Sequence, residues 1–228
     1  MNTLNFLLFG AYPYIAITVL VVGSWARYDR EQYTWKAGSS QLLNNKGMLV
    51  ASNLFHIGVL FIMFGHFVGL LLPESIYHHV ISTPAKQLLA MLSGGFFGVL
   101  AFIGLSMLIW RRFTDPRIRQ NSNPSDLLVL VLLYGQLILG LISIAVSAGH
   151  MDGSVMVLLA TWAQKMVTLQ PEAAAQAIAG VHIIYKLHVF LGMTLFVVFP
   201  FTRLVHILSG FAAPVKYLTR NYQIVRSR

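Results

Sequence analysis

Five long apolar runs, separated by polar segments, set the frame of this 228-residue chain. The clearest is 48–72, MLVASNLFHIGVLFIMFGHFVGLLL, which holds no Asp, Glu, Lys or Arg. At a helical rise of about 1.5 Å per residue, such a run crosses a hydrocarbon core roughly 30 Å thick. The runs at 4–25, 87–110, 127–147 and 181–208 are of the same kind. The pattern predicts an all-α, polytopic bundle with five transmembrane helices, forming one domain over 1–228. Residues 149–180 are too polar to span. Within them Val155, Leu158, Leu159, Trp162 and Val167 recur at helical spacing, which predicts an amphipathic helix on the surface or capping the bundle. No role can be assigned to 170–180.

Punctuation refines this picture. Pro13 falls inside the first run and requires a neighbour to satisfy the carbonyl it frees. Pro200 predicts a kink in the last run. Gly94, Gly95 and Gly98 form a small-residue face suited to close helix contact. Ser125-Asp126 after Pro124 reads as the capped start of the fourth run.

Charge supplies orientation. The loop 26–47, the loop 111–126 and the tail 209–228 each carry four of the sixteen Lys and Arg residues. The N-terminus carries none, and the other two loops hold only Lys86 and Lys165; Lys186 and Arg203 lie near the ends of the last run. By the positive-inside rule the N-terminus is expected outside and the C-terminus in the cytoplasm. The net charge of +9 is thereby accounted for by topology, without a nucleic-acid partner. The N-terminus lacks the basic region and cleavage site of a removable signal. Cysteine is absent, which excludes disulfides, thiolate-held iron–sulfur clusters and thioether-linked haem.

Ionisable side chains inside a span are costly and tend to mark function. His56 and His66 stand ten residues apart in the second run, and His188 and His206 occupy the last. With the two helices antiparallel, His66 meets His188 towards the outside and His56 meets His206 towards the cytoplasm. Each pair could clamp an iron porphyrin from both faces, leaving no open position for substrate, an arrangement suited to electron transfer. The bland alternative is a set of interhelical hydrogen bonds; four histidines at matched depths favour haem. The spacing is awkward, about 15 Å in one helix against about 27 Å in the other. Pro200 offers a kink, and Gly58, Gly65 and Gly69 leave room for a flat ring. His78, His79, His150 and His182 are expected to be interfacial. Arg111, Arg112 and Arg203 are candidate partners for haem propionates, or plain cytoplasmic anchors. Lys86 is a candidate donor to a quinone carbonyl, or a snorkelling lysine at a helix end.

The stretches YPYIA (12–16), RYDREQYTWKAGSSQ (27–41), ASNLFHIG (51–58), GHFVG (65–69), HMDGS (150–154), KLHVFLGMTLF (186–196), FPFTRLVHI (199–207) and YLTRNYQIVR (217–226) carry a specific resemblance. Over essentially its full length the chain resembles the gamma subunit of respiratory, membrane-bound nitrate reductase, a dihaem cytochrome b. The resemblance implies two b haems, the outer held by His66 and His188 and the inner by His56 and His206. It implies a quinol pocket at Gly65, His66 and Lys86, with menaquinol or ubiquinol as substrate. It further implies a bacterial cytoplasmic (inner) membrane location. The implied partners are an iron–sulfur beta subunit and a molybdenum alpha subunit, on which nitrate is reduced to nitrite. Loop 27–46 and the tail 209–228 are expected to dock those partners, because aromatics are interleaved with bases there. Two other readings are a dihaem quinone-linked subunit of a sulfur-compound or heterodisulfide reductase, and a non-redox membrane anchor.

Overall fold

The computed structural model describes residues 2–36, 40, 43 and 46–209. In chain order it forms α1 (Thr3–Arg30), α2 (Met48–Leu71), α3 (Thr83–Thr114), α4 (Pro124–Ser147), α5 (Ser154–Val167), α6 (Pro171–Ala177) and α7 (Ile183–Val198). A 3-10 turn at Phe199–Phe201 continues α7, and a second follows at Arg203–Val205. Helices α1 to α4, and α7 with its first turn, are each long and apolar enough to cross a membrane. No strand occurs among the described residues.

The helices neighbour one another in the order α2, α3, α4, α7, α1, with α5 packed on α2 and α6, and α6 on the start of α1. Among the described residues α2 and α7 form no packed interface. The ring of helices is open between them, and α2 buries only Ala51 and Gly58. Two apolar clusters close the ends. Phe9, Trp162, Ala163, Met166, Ala174, Ile178, Val181 and Tyr185 form one. Val129, Phe199, Leu204 and Val205 form the other, beneath the break that follows α7.

Helix α1 is interrupted by wider π turns at Leu7–Ala11 and Val19–Gly23. Pro13 has no N–H to offer Phe9, four residues before it. The Phe9 carbonyl instead accepts from Trp162 Nε1 at 2.9 Å. Helix α5 thus caps α1, and its Gln164 Nε2 caps the end of α2 by donating to the Leu70 carbonyl at 3.1 Å. Its buried face is Ala160, Trp162, Ala163 and Met166. That corrects the sequence-derived face, because Leu158 and Val167 are exposed. Segment 170–180, without expected role, supplies the fully buried Ala174, Ala175 and Ile178.

The close helix crossings agree with expectation only in part. A Cβ on Gly94 or Gly95 would lie 3.9 Å from Ile144, an ordinary contact, whereas one on Gly98 would lie 2.9 Å from the end of the Leu141 side chain on α4. The tightest approach joins α2 to α3. A Cβ on Gly58 would lie 2.6 Å from the Ala101 nitrogen and the Phe97 carbonyl, and one on Gly104 would lie 2.7 Å from the Ala51 carbonyl. Backbones meet there because neither residue has a side chain to hold them apart. The cap of helix α4 falls two positions before the expected Ser125. Asn123 is the cap, and Asp126 accepts from the Asn123 N–H at 3.4 Å in a capping box.

Candidate functional site

Four histidines meet in two pairs across the gap between α2 and α7. The His66 and His188 ring centroids are 6.0 Å apart, inclined at 38°. Those of His56 and His206 are 6.4 Å apart, inclined at 70°. Metal–nitrogen bonds of about 2.0 Å, with each nitrogen about 1.1 Å from its ring centre, put two rings bonded across one metal about 6 Å apart. Both pairs sit at that spacing. Among the described residues no three His, Asp or Glu side chains converge as a metal cage. Each pair could therefore supply two nitrogen ligands to a group that brings the rest of its own coordination sphere.

Hydrogen bonds hold the far side of three of the four rings. His56 Nδ1 lies 2.8 Å from the Ser52 carbonyl, His66 Nδ1 2.8 Å from the Ile62 carbonyl, and His206 Nδ1 2.6 Å from the Arg203 carbonyl. A carbonyl only accepts, so these Nδ1 atoms carry the proton and Nε2 keeps its lone pair for a metal. His188 is held differently. Its buried Nδ1 has no partner, and its ring lies where a Cβ on Gly140 would meet Cε1 at 3.2 Å. Gln136 Nε2 donates to the His188 carbonyl at 3.1 Å and lies 3.4 Å from its Nε2.

The helix break solves the spacing problem. His206 is not on α7. After Val198 the two 3-10 turns, with Thr202 extended between them, redirect the chain before His206. Carbonyls released by the break are caught by Arg27, whose guanidinium donates to Pro200 O at 2.7 Å and Thr202 O at 2.8 Å. In sequence Arg27 is one basic residue of a loop; in the fold it braces the break.

The remaining candidates divide. Gly65 and Gly69 face open space, as a flat ligand beside α2 requires, whereas Gly58 is packed against α3 and leaves no such room. Lys86 is buried. Its ammonium lies 3.6 Å from the centroid of the buried Tyr77 ring and donates to the Gly69 carbonyl at 3.2 Å. A snorkelling lysine would reach water; this one points at the turn that follows His66. Arg111 donates to Ser40 Oγ at 2.7 Å. Arg112 binds Ser122 at 2.8 Å and Asp126 at 3.5 Å, and Arg203 pairs with Asp126 at 2.9 Å. His78 pairs with Glu74 at 2.8 Å, and His182 caps α7 by accepting from the Ile184 N–H. His79 and His150 are exposed. Of the expected docking surface, Tyr28 and Trp35 stack edge-on at 5.5 Å, and Trp35 Nε1 donates to Ser209 Oγ. The tail beyond Ser209, and 37–39, 41, 42, 44 and 45 of the loop, lie outside the described residues.

Sequence reasoning did not assign roles to Arg27, Gln136, Gly140 or Tyr77. Only Tyr77 left a signal, as an aromatic nine residues before an intramembrane lysine.

Comparison with known proteins agrees with the resemblance. The family model described as nitrate reductase gamma subunit matches residues 5–228. The respiratory nitrate reductase 1 gamma chain of Escherichia coli K12 is 52% identical over 228 residues, covering 100% of both chains. The nitrate reductase 2 gamma chain of the same organism is 49% identical, covering 99% of this chain and 98% of the relative. The nitrate reductase gamma chain of Bacillus subtilis is 36% identical, covering 97% and 98%.

Proposed function

The chain belongs to the nitrate reductase gamma subunit family, and we propose that it is the membrane cytochrome b of such a complex, oxidising quinol on one side of the membrane and delivering the electrons to partner subunits on the other. The observation that carries this reading is the pair of histidine pairs, each at the spacing of two imidazoles on one metal, across a gap that no helix packing fills. His66 and His188 would hold one b haem, and His56 and His206 a second. When bound, such a haem would supply one-electron transfer.

The chain's own residues do the rest. Backbone carbonyls at Ser52, Ile62 and Arg203 fix the proton on Nδ1 and aim Nε2 into the gap. The open surface at Gly65 lets a flat quinol approach His66. Lys86 of α3, which reaches the Gly69 carbonyl one turn beyond Gly65, donates to a quinone oxygen. Arg111, Arg112 and Arg203 cluster at the opposite end of the spans, where their cationic heads suit propionates.

The distribution of Lys and Arg supports an outside N-terminus and a cytoplasmic C-terminus. The His66–His188 pair is then the outer one. Quinol oxidised beside it releases its protons outside, while electrons leave inward towards an iron–sulfur beta subunit and a molybdenum alpha subunit. Loop 27–46 and the tail 209–228 dock those subunits. The chain is one domain over 1–228, lies in the bacterial inner membrane, and carries no nitrate site of its own.

The test is the reduced-minus-oxidised spectrum of the purified complex with single histidine variants. Loss of one b-type component in both His66→Ala and His188→Ala, and of the other in both His56→Ala and His206→Ala, is expected. A colourless native complex, or a shared loss in His66→Ala and His206→Ala, overturns the reading.

A further inference from the structure

Asp126 is a buried carboxylate at the first turn of α4, 7% exposed, with no part in the function described so far. It gathers two arginines from elsewhere in the fold. Arg203 Nε binds its Oδ1 at 2.9 Å, and Arg112, 7% exposed at the end of α3, approaches its Oδ2 at 3.5 Å. Arg112 also donates to Ser122 at 2.8 Å. A carboxylate in so dry a place is stable only when paired, and removing it leaves the buried Arg112 and the partly buried Arg203 without their shared counter-charge.

The consequence lies in what Arg203 does with its backbone. Its carbonyl is the partner of His206 Nδ1 at 2.6 Å. His56 and His66 bond carbonyls four residues back in their own helix, so α2 itself fixes their rings. His206 has no such helix behind it, because α7 stopped at Val198. Its ring orientation depends on a three-residue turn, Arg203–Val205, preceded by extended Thr202. That turn is pinned from two sides: Arg27 of α1 holds Pro200 O and Thr202 O, and Asp126 of α4 holds the Arg203 side chain.

We propose that Asp126 is a positioning residue for the inner centre, fixing through Arg203 the carbonyl that orients His206. This rests on the haem reading above. Asp126 also sets the local charge: with Arg112 and Arg203 it leaves one net positive charge beside the pair, and its neutral amide would leave two. Extra positive charge favours the reduced state of a nearby redox centre.

The experiment uses the full complex in membranes, with Asp126→Asn and Asp126→Glu, read by low-spin ferric EPR and by redox titration of the two haem components. Asp126→Asn is expected to shift the g-values of the inner component and move its midpoint upward, leaving the outer component as in the native complex. Asp126→Glu keeps the charge and displaces Arg203 by one methylene, so its inner g-values should shift less and its midpoint return towards native. The outer signal reports how much folded bundle is present in each variant. Native inner g-values in both variants, or in Asp126→Glu alone should the Asn variant not accumulate, overturn the proposal; so do equal changes at both components. Failure of the haem reading is separable, because there the native complex would be colourless, or His206→Ala would leave the inner component in place.

Discussion

The two histidine pairs share a spacing but not a construction. In the His56–His206 pair both Nδ1 atoms bond backbone carbonyls, and Ser52 Oγ adds a contact to His56 at 3.2 Å. In the His66–His188 pair only His66 is held that way. His188 is oriented by packing, between Gly140 and Gln136, with its Nδ1 left unpartnered. The surroundings differ as well. An aspartate with two arginines stands behind the first pair, while a buried lysine over a tyrosine ring stands beside the second. One pair is fixed by backbone carbonyls at a charged end; the other leaves an open face at Gly65, with the ammonium of Lys86 at the Gly69 carbonyl nearby. The comparison teaches that two histidine pairs at one spacing can rest on different supports, because the supporting groups come from different neighbours.

The strongest way to break this comparison is to remove a ligand. His188→Ala should abolish the outer component and spare the inner, and His206→Ala the reverse, each costing about half of the b-type absorbance for two one-electron centres of similar extinction. Low-temperature difference spectra of the complex check this.

Next comes Lys86→Ala. A hydrogen bond from a charged donor contributes about 1.5–3 kcal/mol, so quinol-driven nitrate reduction should fall by about tenfold or more. Both haem components should remain, and an artificial donor that feeds the soluble subunits directly should restore turnover. Normal quinol turnover in this variant would remove the functional contrast between the two pairs.

Gly140→Ala tests the packing device at His188. The added Cβ would lie 3.2 Å from His188 Cε1, so the ring must yield by a few tenths of an ångström. The outer EPR signal should shift modestly and the inner should not. The exchange itself favours the helix, by about 1 kcal/mol, so the bundle should assemble normally.

The smallest effect is expected from Ser52→Ala. It removes the hydroxyl contact to His56 but leaves the Ser52 carbonyl bond. The inner component should move less than in Asp126→Asn, because the ring keeps its principal anchor. A larger change would locate the control of that pair in the hydroxyl.

Much of the architecture could be read along the chain. Hydropathy is a local property, and runs of twenty or more apolar residues have few alternatives to a membrane helix, so the five spans appeared with only their ends misplaced. The capped start of α4 was equally local, read at Ser125-Asp126 after Pro124 and found with Asn123 as the cap. The four histidines stood out because ionisable groups are rare in such runs, and the alternating direction of the spans suffices to pair them by depth. Tertiary structure decided what depends on distant partners. Trp162 meets the Phe9 carbonyl, Arg27 meets Pro200 and Thr202, and Arg203 meets Asp126. Each pair joins residues more than seventy positions apart. The polar group that needs a partner is visible in sequence as a proline or a buried charge, but a hydrogen bond is made only at about 3 Å. Which residue arrives at that distance is set by how the helices pack, and by the gap left where α2 and α7 do not.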